Sequence, residues 1–260
     1  MSFRGKMAKR PTCLTAALLL SALLSLAFGT VALAGPPDVA GLTARLDDAS
    51  GAADINKAAT ALEALTSGAQ APPGSLTQLG RAYYLMGESE KDKARRLSCF
   101  DRSLGASESA LKANPADLHA LYWRSIARLQ KADLVGGLTA LKLVKGALRD
   151  LDTVSAKDPL YDGAGADRLR GKVLMDAPSW AFIGDKNKGV ILLECAAKRA
   201  PNLLINRFYL ADAYACVGRD KEAVSEISFI MAAPVDKKKP ADDLEVKGDA
   251  GKLLKKLTGR

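Results

Sequence analysis

Apolar residues in this chain recur at intervals of three and four, not two. In 54–67, Ile55, Ala58, Leu62 and Leu65 fall on one face of a helix. In 134–156, Leu138, Leu141, Leu148 and Leu151 do the same. The pattern predicts helices over 38–49, 54–67, 76–86, 90–113, 117–130, 134–156, 187–200, 203–217, 221–232 and 241–257. One more opens at Tyr161-Asp162-Gly163 and carries Arg168, Arg170, Val173 and Leu174. Gly51, Pro72-Pro73, Gly87, Asn114-Pro115, Asp158-Pro159, Pro201, Gly218 and Pro234 punctuate these runs. Ser75 is placed as the N-cap of the third helix. Alternation of β-branched residues is absent, so the fold class expected is all-α.

Two of the runs are related. A shift of 34 residues lays Gly184 on Gly218, Gly189 on Ala223 and Leu193 on Ile227. A period near 34 is that of the tetratricopeptide repeat, a helix–turn–helix unit with pattern L-G-x2-Y, A-x3-F and a closing proline. Leu210-Ala211, Tyr214, Ala223, Ile227 and Pro234 fill these places, with Arg207 standing where the pattern has Trp. Leu79-Gly80 with Tyr83, then a turn at Gly87, is a second match. Small residues let antiparallel helices approach, and proline ends the second helix because it lacks an N–H. Closing prolines at 115, 159, 201 and 234 are spaced by 44, 42 and 33 residues. The expectation is a right-handed tetratricopeptide-like α-solenoid with two enlarged repeats over 75–234. A helix pair and linker (35–74) precede it. A basic linker and a capping helix (235–260) follow, with Val246, Ala250, Leu253 and Leu257 on one face.

The first 34 residues read as a cleaved signal peptide. Arg4, Lys6, Lys9 and Arg10 precede an uncharged apolar run at 14–28, and Ala32-Leu33-Ala34 is a small-x-small site, so the mature chain begins at Gly35. The apolar run is short for a bilayer-spanning helix. Cys13 lies before it and cannot follow a cleaved signal as a lipidated cysteine. A periplasmic or secreted protein is expected, neither membrane-spanning after cleavage nor a lipoprotein. The segment holds 4 of the 38 Lys and Arg and none of the 29 Asp and Glu, leaving +5 for the remainder. That is no nucleic-acid footprint. Cys99, Cys195 and Cys216 remain. They are read as small buried residues, with Cys195 and Cys216 the pair if a bridge forms.

Catalytic chemistry is thin. His119 is the single histidine, and neither a Cys-x2-Cys pair nor a Gly-rich phosphate loop occurs. Asp47-Asp48 and Asp242-Asp243 are adjacent pairs, which point to different sides of a helix. Lys237-Lys238-Lys239 reads as a solvated linker. No enzyme activity, cofactor or metal is expected.

A longer series of motifs resembles a known family. It runs Asn114-Pro115, Tyr122-Trp123, the Leu-rich helix, Asp158-Pro159 with Tyr161-Asp162-Gly163, and Arg168-x2-Gly171. It continues with Ala177-Pro178, Gly184-Asp185, Ala200-Pro201 and Asn206-Arg207-x2-Leu210-Ala211. Over roughly 76–234 the chain is similar to exported tetratricopeptide-like proteins related to the T component of tripartite ATP-independent periplasmic (TRAP) transporters. The resemblance implies a non-catalytic periplasmic protein that associates with a solute-binding protein and binds hydrophobic small molecules. The family's lipidation motif is missing here.

In such a fold the first helix of each unit lines the concave face. Aligning units on their prolines sets Tyr122-Trp123 over Phe208-Tyr209. The candidate inner residues are Arg81, Tyr84, Tyr122, Ile126, Ile205, Phe208 and Asp212, with Arg81 as a carboxylate partner. Trp123 and Tyr209 are assigned to the core. Trp180, with Phe182, sits in an inserted loop as a further contact candidate. The expected partner is another exported protein, or alternatively an apolar small molecule.

Overall fold

A computed structural model describes residues 38–49, 51–68, 70–177, 183–237 and 240–259. Within them lie eleven helices and no strand. The first six are α1 (Val39–Asp47), α2 (Ala52–Thr66), α3 (Ser75–Ser89), α4 (Lys93–Ala113), α5 (Leu118–Val135) and α6 (Gly137–Lys157). Then come α7 (Gly165–Asp176), α8 (Lys186–Arg199), α9 (Leu204–Cys216), α10 (Asp220–Ala232) and α11 (Pro240–Thr258).

Local chemistry sets the ends. Aspartate caps four helices. The carboxylates of Asp38, Asp92, Asp117 and Asp185 accept from the backbone N–H of Gly41, Arg95, Ala120 and Lys188. At the other end, α4, α6, α8 and α10 stop at Asn114, Asp158, Ala200 and Ala233, each directly before a proline. A residue before proline is pushed out of helical geometry, and all four have positive ψ.

Four boundaries differ from expectation. Gly74, not Ser75, is the N-cap of α3; the Ser75 hydroxyl instead donates to the Pro72 carbonyl at 2.6 Å. Gly87 is not a turn but lies inside α3, where the ring of Phe100 from α4 covers it. Between α5 and α6 the break falls at Gly136 and Gly137, whose φ values of +68° and +61° favour glycine. The sequence 161–163, placed as a helix start, is a turn running to Ala164.

Each helix packs on its neighbours in sequence. Odd-numbered helices also meet across units, α1 with α3, α3 with α5, α7 with α9 and α9 with α11. The odd helices therefore form an inner layer and the even ones an outer layer. The core is a series of adjoining clusters. One joins α1 to α3 around Leu42, Leu62 and Leu79. A second joins α4 to α7 around Tyr122, Leu151 and Val173. A third joins α7 to α10 around Leu193 and Leu210, and a fourth joins α9 to α11 around Leu204, Ile227 and Val246. This is an all-α solenoid, built unit on unit.

Aligned positions share surroundings. Tyr83 donates to Glu63 at 2.8 Å and Tyr214 to Glu194 at 2.9 Å, each reaching the preceding outer helix. An arginine lies over each ring, Arg102 at 3.9 Å and Arg219 at 4.1 Å. The small positions are shut: a Cβ on Gly80 would meet Ser107 Oγ at 2.6 Å, and Ala223 is fully buried. All three described cysteines are free thiols; Cys99 and Cys195 are half-buried and Cys216 is exposed, which corrects the expectation that all three are buried. Residues 1–37, with the expected signal, and Trp180 lie outside the described residues.

Candidate functional site

The inner layer is organised around the turn that ends α6. Asp162, Gly163 and Ala164 all have positive φ (49°, 59° and 64°), costly for the two that are not glycine. Side chains from three inner helices hold it. The Tyr122 hydroxyl, from α5, donates to Asp162 Oδ2. Arg168, from α7, donates to the same oxygen at 2.6 Å and to Asn206 Oδ1 at 2.9 Å. Asn206, from α9, donates to the carbonyls of Gly163 at 2.9 Å and Ala196 at 3.1 Å. Tyr122 is 2% exposed and Asn206 fully buried. Burial, with Asp162 beside it, raises the Tyr122 phenol well above its ordinary pKa of 10. Burial opposes the charge on Arg168, but Tyr122 and Asp162 more than offset it and its pKa is raised. This cluster is a structural latch, and its residues are occupied with one another.

Around the latch, partly exposed side chains line the inner layer. Arg81 lies over the Trp123 ring at 5.4 Å and pairs with Asp47 of α1 at 2.5 Å. Its Nε is buried and has no hydrogen-bond partner. The rings of Tyr84 and Trp123 meet at 5.5 Å. Burial raises the Tyr84 phenol well above 10, with Glu88 and the distant Tyr209 adding to the rise. Lys172 of α7 sits between Asp176 at 3.2 Å and Asp212 at 3.0 Å, with its ammonium 5.8 Å from the Tyr209 ring. Burial pulls the Lys172 pKa down, but the two carboxylates outweigh it and the amine is held charged.

The candidates named from sequence divide between five places. Arg81 and Tyr84 line the inner layer beside Trp123. Asp212 lines it beside Lys172. Tyr122 is not a groove residue but part of the latch. Ile126 is half-buried against the second core cluster. Ile205 and Phe208 fill the seam between α9 and the end helix α11, with Leu253, Leu254 and Leu257. Trp123 and Tyr209, assigned to the core, are half-buried and pack against the second and third core clusters, each with one ring face toward a cation of the inner helices. The alignment on closing prolines pairs these two with each other, which was the available signal.

Burial raises the thiol pKa of Cys99 and Cys216, which keeps them protonated at neutral pH. His119 Nδ1 is 2.8 Å from the Tyr161 hydroxyl, with the rings edge to face. Among the described residues no three His, Cys, Asp or Glu side chains gather for a metal ion. No helix among them is long and apolar enough to cross a membrane. The arrangement is equipped for contact through aromatic faces, cations over rings and paired charges. Compared with protein-family models and with curated proteins, the chain finds no match.

Proposed function

We propose that this chain is a non-enzymatic interaction module, an exported tetratricopeptide-like scaffold that grips another exported protein on its inner layer. The observation that carries the reading is the Arg81–Trp123–Tyr84 group, left partly exposed with a buried and unpartnered Arg81 Nε. Tryptophan, tyrosine and arginine are the residues most enriched where binding energy concentrates. The resemblance to TRAP T components adds a partner class, a periplasmic solute-binding protein.

Capture from a periplasmic extract, read beside the melting temperature, tests the reading. Trp123→Ala is expected to weaken capture at least tenfold, a loss of ~1.4 kcal/mol, while the protein stays folded. Equal capture by both proteins removes the inner layer from the reading. A second reading, a carrier of an apolar small molecule, draws on the same ring pair of Tyr84 and Trp123. Organic extraction of the purified protein followed by mass spectrometry decides it. Export itself is tested by N-terminal sequencing, with Gly35 the expected first residue.

A further inference from the structure

The hairpin between α5 and α6 carries a surface that the inner layer does not use. Its tip is Leu134-Val135-Gly136-Gly137-Leu138. Leu138 is 77% exposed and Val135 37% exposed. None of the first nine residues of α6 is buried; burial begins at Gly146. Further along α6 the neighbouring helices engage: Arg124 and Arg128 of α5 bind Asp150, and Arg170 of α7 binds Asp152.

Charge follows the apolar tip in a fixed order. Leu138, Lys142, Lys145 and Arg149 stand at i, i+4, i+7 and i+11, one face of a helix, and all four are exposed. No ion pair among the described residues uses Lys142, Lys145 or Arg149. Between Lys131 and Asp150 the one acid is Asp133. Asp150 is buried and already engaged by two arginines. The cations therefore present an uncompensated positive stripe that starts about 6 Å behind Leu138, at ~1.5 Å per residue.

We propose that this hairpin tip docks on an anionic phospholipid surface. Leu138 and Val135 enter the boundary between headgroups and acyl chains, and Lys142, Lys145 and Arg149 meet the phosphates. The order of residues argues for lipid. A bilayer presents apolar material beneath a layer of phosphate, and the tip presents leucine ahead of lysine by one helical turn. Lysine stems are long enough to lie along the apolar layer with their ammonium at the phosphates. Each basic residue near an anionic surface contributes about fivefold in binding, lost as salt rises.

The test is flotation of the full chain with vesicles of phosphatidylglycerol and phosphatidylcholine against vesicles of phosphatidylcholine alone. Tight binding to the anionic vesicles is expected, falling between low and high salt. Lys142→Glu with Lys145→Glu is expected to lower the partition coefficient at least ~25-fold at low salt. These side chains are exposed, so the melting temperature stays unchanged. Residues 1–37 are common to both proteins, and any binding by them is the same in each. Leu138→Trp provides a second readout: brominated phosphatidylglycerol should quench its fluorescence beyond that of the parent. Equal partitioning of variant and parent overturns the proposal, as does a Leu138→Trp protein on vesicles that bromine does not quench. A parent that is dimeric in solution and becomes monomeric with Leu138→Asp assigns the tip to a second copy, and also overturns it.

Discussion

The ring of Phe100 in α4 covers Gly87 in α3 so closely that a Cβ at position 87 would lie 2.5 Å from its Cε1. Both residues are buried, Phe100 completely. The contact fixes how near the two helices of the first enlarged unit approach. A glycine that looks like a turn in the sequence is thus a packing residue.

Gly87→Val is accordingly expected to destabilise the fold by ~1–3 kcal/mol through overpacking. Gly80→Leu, which meets Ser107 Oγ at 2.6 Å already at its Cβ, should cost at least as much. Gly105, in the middle of α4, has open space around the same position. Gly105→Ala should therefore stabilise by up to ~1 kcal/mol, the helix preference of alanine over glycine. Urea midpoints of the three variants check the set, and a Gly87→Val midpoint equal to the parent's would contradict the packing.

Asn206 ties Arg168 to the carbonyls of Gly163 and Ala196. Asn206→Ala removes all three bonds in a fully buried place. Unsatisfied buried polar groups cost ~1–3 kcal/mol each, so a loss of at least ~2 kcal/mol is expected. Equilibrium unfolding in urea measures it.

Phe208 and Trp123 should respond differently to truncation. Phe208 is packed in the seam under α11 and half-buried, so Phe208→Ala should cost ~2–3 kcal/mol, below the ~3–5 of a fully buried ring. Trp123→Ala should cost less stability but weaken partner capture. A Trp123→Ala protein that melts as early as Phe208→Ala would assign Trp123 to the core after all.

Alkaline pH should loosen the fold. Tyr84, Tyr122 and Tyr209 all have phenol pKa values raised above 10, burial first among the causes. Above pH 10 the unfolded chain loses these protons while the folded one keeps them, so the unfolded state binds fewer protons and stability falls with rising pH. Each such tyrosine contributes up to ~1.4 kcal/mol per pH unit there, and nothing below about pH 9. Thermal melts of the parent and of Tyr84→Phe from pH 8 to 11 check the slope, which should be shallower in the variant.

Much of the fold was legible because helical spacing and proline are local signals. Asn114-Pro115 and Asp158-Pro159 end helices wherever they sit. The break at Gly136 was hidden because Leu134, Leu138 and Leu141 keep helical spacing straight across it. The inner layer was half legible. Tyr122 and Trp123 are adjacent aromatics pointing about 100° apart on one helix. Which of them turns inward is settled by Asp162, forty residues on, whose carboxylate receives the Tyr122 hydroxyl. No short-range pattern carries that information. The capping role of the last helix is legible from its apolar face, but not that it covers Phe208, since nothing local says which side of α9 it lies on.

The division of the core into four adjoining clusters has a consequence for how the molecule comes apart. A single core fails all at once, whereas a row of cores loses its ends first. The two end helices are held by few buried side chains, Val246 and Ala250 in α11 and Leu42 and Leu46 in α1. Amide hydrogens of α11 and α1 should exchange fastest. Those of α5 and α7, pinned by Asp162, should exchange last. Loss of structure in rising denaturant would then be a sequence of fraying steps, and the midpoint observed would depend on where along the chain the reporter sits.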